Sequence, residues 1–329
     1  MDYFYTEWLA ALEQDGVIAV ATVVNGIGAT PRENGAQMLI RNSGRIFDTV
    51  GGGKLEGGVM QRAKHVLADG RSEMFHFDLT GEDVAQTEMI CGGEGDVFIY
   101  YSDSKDINTL HQISRLKNYN GWMCYPIDEQ GGICYICEDG VLVGDEDQTK
   151  CLSQMQKEKG IFIGQAQGRR YLVQWVEMSG KLHIMGAGHV SMEIAMVAHI
   201  AGIDCCVYDD RADFLTEERF AFAARIVLDD MKKLPDIEAG SKDMIAIVTR
   251  GHLYDLECLE WAIGKHAGYI GMIGSKRKTN MIFESLLAKG IQQERISKVY
   301  APIGLDIGAQ TPAEIAVAIV AQLIAFKRA

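Results

Sequence analysis

The sequence predicts a two-domain α/β chain, on three observations. A strand, a glycine turn, a helix and a second strand follow one another from Leu182 to Asp210; strands and helices keep alternating after that unit; and the segments before it mix α and β with hairpin signals. At 329 residues and 47% hydrophobic content the chain has apolar material for two cores. The boundary is placed near Ser179-Gly180, giving an N-terminal mixed α+β domain over residues 1–179 and a C-terminal doubly wound parallel sheet over 180–329.

Taken in order, Phe4, Trp8, Leu9 and Leu12 mark an opening amphipathic helix, and Val17 to Val24 is an apolar run of strand length. Strands are predicted at 37–40 and 46–50, and a helix at 55–67 on the spacing of Val59, Ala63 and Val66. Phe75, Phe77 and Leu79 alternate with polar residues, and 97–101 is another strand candidate. From about 121 to 176, aromatic-rich runs separated by Glu129-Gln130-Gly131-Gly132 and Asp139-Gly140 predict an antiparallel extension built of hairpins. The polar stretch 145–159 reads as a linker.

Leu182 to Met185 then gives a strand, and Gly186 and Gly188 permit a tight turn that lets main-chain amides approach a pyrophosphate. Val190, Ile194, Val197, Ala198 and Ala201 share one helix face, Gly202 ends the helix, and 203–208 is the second strand. Asp209 lies 23 residues after Gly186, close to the roughly 20-residue offset at which an acid meets a ribose hydroxyl. This is the pattern of a Rossmann-type unit. Ser191 at the third glycine position and the following Asp210-Arg211 leave a 2′-phosphate or a non-dinucleotide ligand open, and glycines that only turn the chain are the alternative. Strands at 244–248 and 269–273, helices at 256–263 and after Ser275, and a buried helix at 313–326 opened by a Thr311 to Glu314 capping box complete the domain.

Composition excludes several classes. A net charge of −13 without a Lys/Arg stripe argues against nucleic acid. Eight cysteines without framework spacing suggest a reducing compartment, and an opening without a basic and apolar leader suggests a cytoplasmic protein. The most apolar long segment, 313–326, contains Glu314 and Gln322 and is too short to span a bilayer, so no membrane association is expected. A homodimer is expected on base rate.

Five places carry candidate chemistry. Arg32, in the loop 28–36, has the planar fork suited to phosphate, against the alternative of a solvated charge. Gly51, Gly52 and Gly53 at a strand-to-helix junction offer main-chain amides to an anion, or form a structural turn. Cys91 places a thiol among glycines, within reach of a metal or a persulfide, or is a small buried hydrophobe. His189 and the His252/Asp255 pair face the crevice expected at the strand ends, although Asp255 equally serves as a cap and His183 reads as structural. Gly274, Ser275, Lys276, Arg277 and Lys278 combine a helix start with cations. By contrast, Cys134 and Cys137 fall on opposite faces of a strand and predict no metal or redox site.

The ordered set GATPRENGA, VGGGKLEGG, MICGGEGDVFI, IMGAGHVS, YDDR, TRGHLYDLE, YIGMIGSKRK and APIGLDIGAQTPAEIAVAI resembles the XdhC/CoxI family of molybdenum-enzyme accessory proteins along nearly the whole chain. The resemblance implies a role in maturing a molybdenum hydroxylase such as xanthine dehydrogenase. The implied cargo is the molybdenum cofactor, as molybdopterin or a dinucleotide form, sulfurated by a cysteine desulfurase-type sulfurtransferase and inserted into the apo-enzyme. The implied cofactor-binding residues are Gly186, Gly188, His189, Asp209, Arg211, His252, Gly274, Ser275, Lys276, Arg277, Arg32, Gly51, Gly52 and Gly53. Lys54 stands where one branch of the family has cysteine, which leaves Cys91 for sulfur handling or molybdenum contact. The Rossmann pattern taken alone permits NAD(P) or FAD, hence an oxidoreductase or a component of a xanthine dehydrogenase complex.

Overall fold

The computed structural model describes residues 3–28, 32–78, 93–116, 120–128, 131–177 and 180–328. The chain divides into two compact units, Tyr3–Met178 and Ser179–Ala329. Its class is α/β, with antiparallel sheets and helices in the first unit and a parallel Rossmann-type sheet in the second.

The first unit opens with helix α1 (Tyr3–Asp15) and strand β1 (Ile18–Val23). Strands β2 (Ile27–Gly28), β3 (Gln37–Arg41), β4 (Ile46–Asp48), β5 (Glu73–Asp78) and β6 (Gly93–Ser102) build an antiparallel sheet in the order β2-β6-β1-β3-β4, with β5 also paired to β6. All six residues of β1 are buried, which is why its sequence is an unbroken apolar run. Ile18 and Val20 face a core with Trp8 and Leu12 of α1, while Ala19 and Ala21 meet Leu55, Val59, Ala63 and Val66 of α2 (Gly53–Asp69).

Helix α3 (Ser104–Arg115) leads into a second antiparallel sheet of β7 (Gly121–Pro126), β8 (Cys134–Cys137), β9 (Leu142–Val143), β10 (Ile161–Ala166) and β11 (Arg169–Val176), in the order β10-β11-β7-β8-β9. Cys137 joins the core shared with α1, whereas Cys134 joins Cys124 on the opposite face, so the two thiols do point apart. The expected linker 145–159 is instead partly helix α4 (Glu146–Ser153). Its polar residues hid a cap, since the Asp145 carboxylate accepts from the Gln148 N–H, and Leu152 is fully buried.

The second unit carries β12 (Leu182–Met185), α5 (His189–Ile200), β13 (Cys205–Asp209), β14 (Ala224–Val227), β15 (Met244–Ile247), α6 (His252–Ile263), β16 (Tyr269–Met272), α7 (Lys276–Ala288), α8 (Gln293–Ile296) and α9 (Pro312–Arg328). The five strands are all parallel, in the order β14-β13-β12-β15-β16. The order reverses between β12 and β15, which places the crevice of a doubly wound sheet over their C-terminal ends. One core packs α5 and α9 on one face, and a second packs α6 and α7 on the other. The capping box at α9 forms, with Thr311 Oγ1 accepting from Glu314 N and Glu314 Oε2 accepting from Thr311 N at 3.1 Å. Strand β14 carried no expectation: its four residues are exposed and lack alternation.

Candidate functional site

The C-terminal ends of β12, β13, β15 and β16 bring together most of the residues expected in the second unit. Gly186 leaves β12 with φ of 112°, and a Cβ there would lie 2.3 Å from the Val248 carbonyl oxygen, so no other residue fits. Gly188 differs: its surroundings are open, with nothing within 4 Å of an added Cβ. It precedes α5 without a side-chain cap, which leaves the first amides of that helix for solvent or a ligand. His189 begins α5 and is exposed. Ser191, at the third glycine position, is fully buried.

Asp209 reaches this loop but not as a free acceptor. Its Oδ2 accepts from Ala187 N at 2.7 Å and from Arg211 Nη2 at 2.9 Å, and its Oδ1 accepts from Arg211 Nε and N at 2.8 and 3.0 Å. Burial pushes this carboxyl up, yet the bonds from Arg211 and Ala187 outweigh it and hold it below the usual carboxylate range. Asp209 is therefore a staple between strand end and glycine turn, where the sequence suggested a ribose acceptor. Arg211 is fixed by the same bonds and stacks over the Phe214 ring at 4.0 Å. Beside it, Arg250 donates to Asp210 Oδ2 at 2.9 Å and to the Tyr254 hydroxyl at 3.2 Å.

His252 begins α6, and its side chain is outside the described set. Asp255 neither caps that helix nor stands free. It is completely buried, accepts from the Thr249 hydroxyl at 2.7 Å and forms an ion pair with Lys278. This contact joins α6 to α7 behind the loops and was missed in the sequence, since Lys278 read as one of three equivalent cations. Ser275 caps α7 by accepting from Lys278 N at 3.3 Å. Gly274 precedes that cap, while Lys276 and Arg277 are exposed and show no ion pair among the described residues. His183 is structural, as expected: its Nδ1 lies 2.8 Å from the Tyr208 hydroxyl, and burial lowers its pKa to about 4.

In the first unit, Arg32 and the Gly51 to Gly53 loop are neighbours through Asp48, whose Oδ1 accepts from Arg32 Nη2 at 3.4 Å. The three glycines have φ of 129°, 74° and 59°. The amide of Gly51 is already taken by Thr49 Oγ1, and Glu56 bonds that same hydroxyl, so an anion would meet fewer free donors than the sequence suggested. Cys91 lies outside the described residues; Gly93, two positions later, pairs with Gly28 on β2. Among the described residues no cluster of three or more His, Cys, Asp or Glu could hold a metal, and no helix is long and apolar enough to cross a membrane.

Residues 182–323 match the XdhC Rossmann domain, and residues 11–78 match the XdhC and CoxI family. The chain belongs to the XdhC/CoxI family. Among curated proteins it is similar to the uncharacterized protein YqeB of Escherichia coli K12, 25% identical over 98% of this chain but only 46% of that protein, so it spans about half of that relative's length. It is 24% identical to a probable xanthine dehydrogenase subunit from Bacillus subtilis 168, covering 98% of this chain and 97% of that one. A crystal structure of a xanthine dehydrogenase from Bacillus halodurans shares the fold, with a TM-score of 0.78 at 24% identity, over 98% of this chain and 96% of that chain.

Proposed function

We propose that this chain is an accessory factor for a molybdenum hydroxylase of the xanthine dehydrogenase kind. It holds the molybdenum cofactor as cargo, in molybdopterin or dinucleotide form, keeps it accessible to a cysteine desulfurase-type sulfurtransferase, and passes it to the apo-enzyme. The observation that carries this reading, within the family, is the Gly186 to Gly188 turn: a forced glycine fixes its path, and an open one leaves uncapped helix amides facing free space.

These residues fit a phosphate-bearing ligand. The α5 amides would seat the phosphate, Asp209 holds Ala187 N so that the turn keeps its shape, and Lys276 and Arg277 supply positive charge from the neighbouring helix start. The cargo supplies the oxo-to-sulfido chemistry that the client enzyme needs. The family resemblance adds Cys91 for the sulfur step, and Arg32 with the Gly51 to Gly53 loop as a second contact. The name of the Bacillus subtilis relative favours a variant of this reading in which the chain stays bound to the dehydrogenase as one of its subunits.

The test is to release and identify the ligand of the purified protein by mass spectrometry, then repeat with Gly188→Val. A pterin should be found in the wild type and be reduced at least tenfold in the variant, with the unfolding of the second unit, followed through Trp261, unchanged. A flavin or nicotinamide nucleotide in its place would make the chain an oxidoreductase, and pterin retained by the variant would move the site elsewhere.

A further inference from the structure

Strand β14 ends the parallel sheet on one side, and Ala224, Arg225, Ile226 and Val227 are all exposed. Strands of parallel sheets are ordinarily covered on both faces. Ile226 and Val227 are 39% and 54% exposed, and they are not isolated. Phe222, 56% exposed, stacks on His199 of α5 with ring centroids 4.2 Å apart, and Met196 and Ile200 share that helix face with exposures of 43% and 79%. Of these, Val227, Phe222, Met196 and Ile200 lie on the α5 side of the sheet and present on the order of 400 Å² of apolar surface, while Ile226, in phase with Tyr208 of the other core, faces the opposite side.

The backbone specifies what fits. Leu228 N donates to Asp209 O at 2.9 Å, so Leu228, and by alternation Ile226 and Ala224, turn their main-chain groups toward β13. Arg225 and Val227 turn theirs outward, where no strand pairs among the described residues. We propose that two copies of this chain join at this edge across a twofold axis, β14 running antiparallel to β14, so that two five-stranded sheets become one of ten.

The register follows from the same alternation. Both outward-facing residues are used when Arg225 of one copy lies opposite Val227 of the other, which makes two couples of main-chain bonds. Ile226 then meets its own copy on the axis as a non-hydrogen-bonded pair, with Cα atoms about 4.5 Å apart. Val227 lies on the sheet face that carries α5, because it pairs with Asp209 in phase with Val207 of that core. Both α5 helices therefore sit on one side of the joined sheet, and Met196, Ile200 and Phe222 of each copy flank the joint. The two patches, with the Ile226 pair on the opposite face, bring about 1,000 Å² of apolar surface to the joint, the lower limit for a specific interface. Arg225 at the edge is neutralised by Glu217 at 3.6 Å, so it does not repel its copy.

Full-length protein at micromolar concentration should scatter light as about 73 kDa, twice 36.3 kDa. Ile226→Cys should give a dimer linked through the introduced thiol under mild oxidation, because the Cα separation suits a disulfide. Leu287→Cys on α7, 42% exposed, should not link. Ile226→Lys sets like charges opposite each other and should weaken the dimer at least about a hundredfold while leaving the circular dichroism unchanged. A monomeric wild type, a dimer that Ile226→Cys fails to link, or an Ile226→Lys variant that dimerises like the wild type would each overturn the proposal.

Discussion

The two glycine turns, Gly186-Ala187-Gly188 in the second unit and Gly51-Gly52-Gly53 in the first, look alike in sequence and differ in what holds them. The second-unit turn is built in: Gly186 is wedged against the Val248 carbonyl, and Ala187 N is tied to Asp209. The first-unit turn is propped from one side only, by Thr49 and Glu56, and nothing lies within 4 Å of a Cβ at Gly52. Packing therefore demands glycine at 186 and the left-handed φ of 74° demands it at 52, whereas neither demands it at 188. Where neither demands glycine, its cost in backbone entropy needs another reason, and access of a ligand or partner to the backbone supplies one.

That contrast breaks first at Gly186. Gly186→Val should cost about 4 kcal/mol or more, through steric overlap with Val248 and a backbone angle that valine resists, and should unfold the second unit. Urea titration read at Trp261 would show it. A stable variant would mean that the turn is looser than the geometry implies. Next in size is Lys278→Met, which leaves the buried Asp255 carboxylate with the Thr249 hydroxyl alone and should cost about 3 kcal/mol. Adding Asp255→Asn should restore most of that loss. If the double variant is as unstable as the single, the pair does not hold α6 to α7.

Acid should separate the two units. Burial lowers His183 to about 4 from 6.5, so between those values the unfolded chain takes up a proton that the native second unit refuses, and stability falls as pH falls. In the first unit, Asp106 lies completely buried, accepting from Ser102 Oγ at 2.6 Å and Ile133 N at 2.8 Å. Burial pushes it up to about 6 from 3.8 against those bonds, so the native state binds the proton first and this residue's cost is relieved as pH falls through 6. Each group contributes roughly 3 kcal/mol over its window. Urea titrations from pH 6.5 to 4 should show His183→Gln flattening the acid loss of the second unit and Asp106→Asn removing the acid gain of the first. Parallel slopes in wild type and variants would contradict both assignments.

The fold was legible because its signals are local. Alternation, hairpin turns and the glycine-to-acid spacing each lie within about 25 residues, and β1, β12, α5 and the α9 cap form where the pattern puts them. What escaped depends on distance in the chain. Trp8 donates to Ser102, 94 positions on, to reach Asp106, and Asp255 meets Lys278 only because α6 and α7 pack together. Asp209 was found by spacing, but its bonds to Arg211 and Ala187 were not, because spacing places a carboxylate without showing which donors of the protein reach it. The edge strand β14 escaped because a strand covered on neither face carries no periodicity.

The smallest effect tests the contrast most sharply. Gly57 and Gly58 lie in the second turn of α2, where glycine costs about 1 kcal/mol relative to alanine, and nothing approaches an added Cβ at either. Alanine should therefore stabilise the first unit, by about 1 kcal/mol per site and roughly 2–4 °C in melting temperature. If that bare helix face, just past the Gly51 to Gly53 loop, receives the cargo or its client, the same methyl groups stand in the way. The Gly57→Ala, Gly58→Ala double variant should then melt higher while supporting less activity of the client hydroxylase in a strain that depends on it. A higher melting temperature with full client activity would leave these glycines without a binding role and confine the open backbone that matters to Gly188.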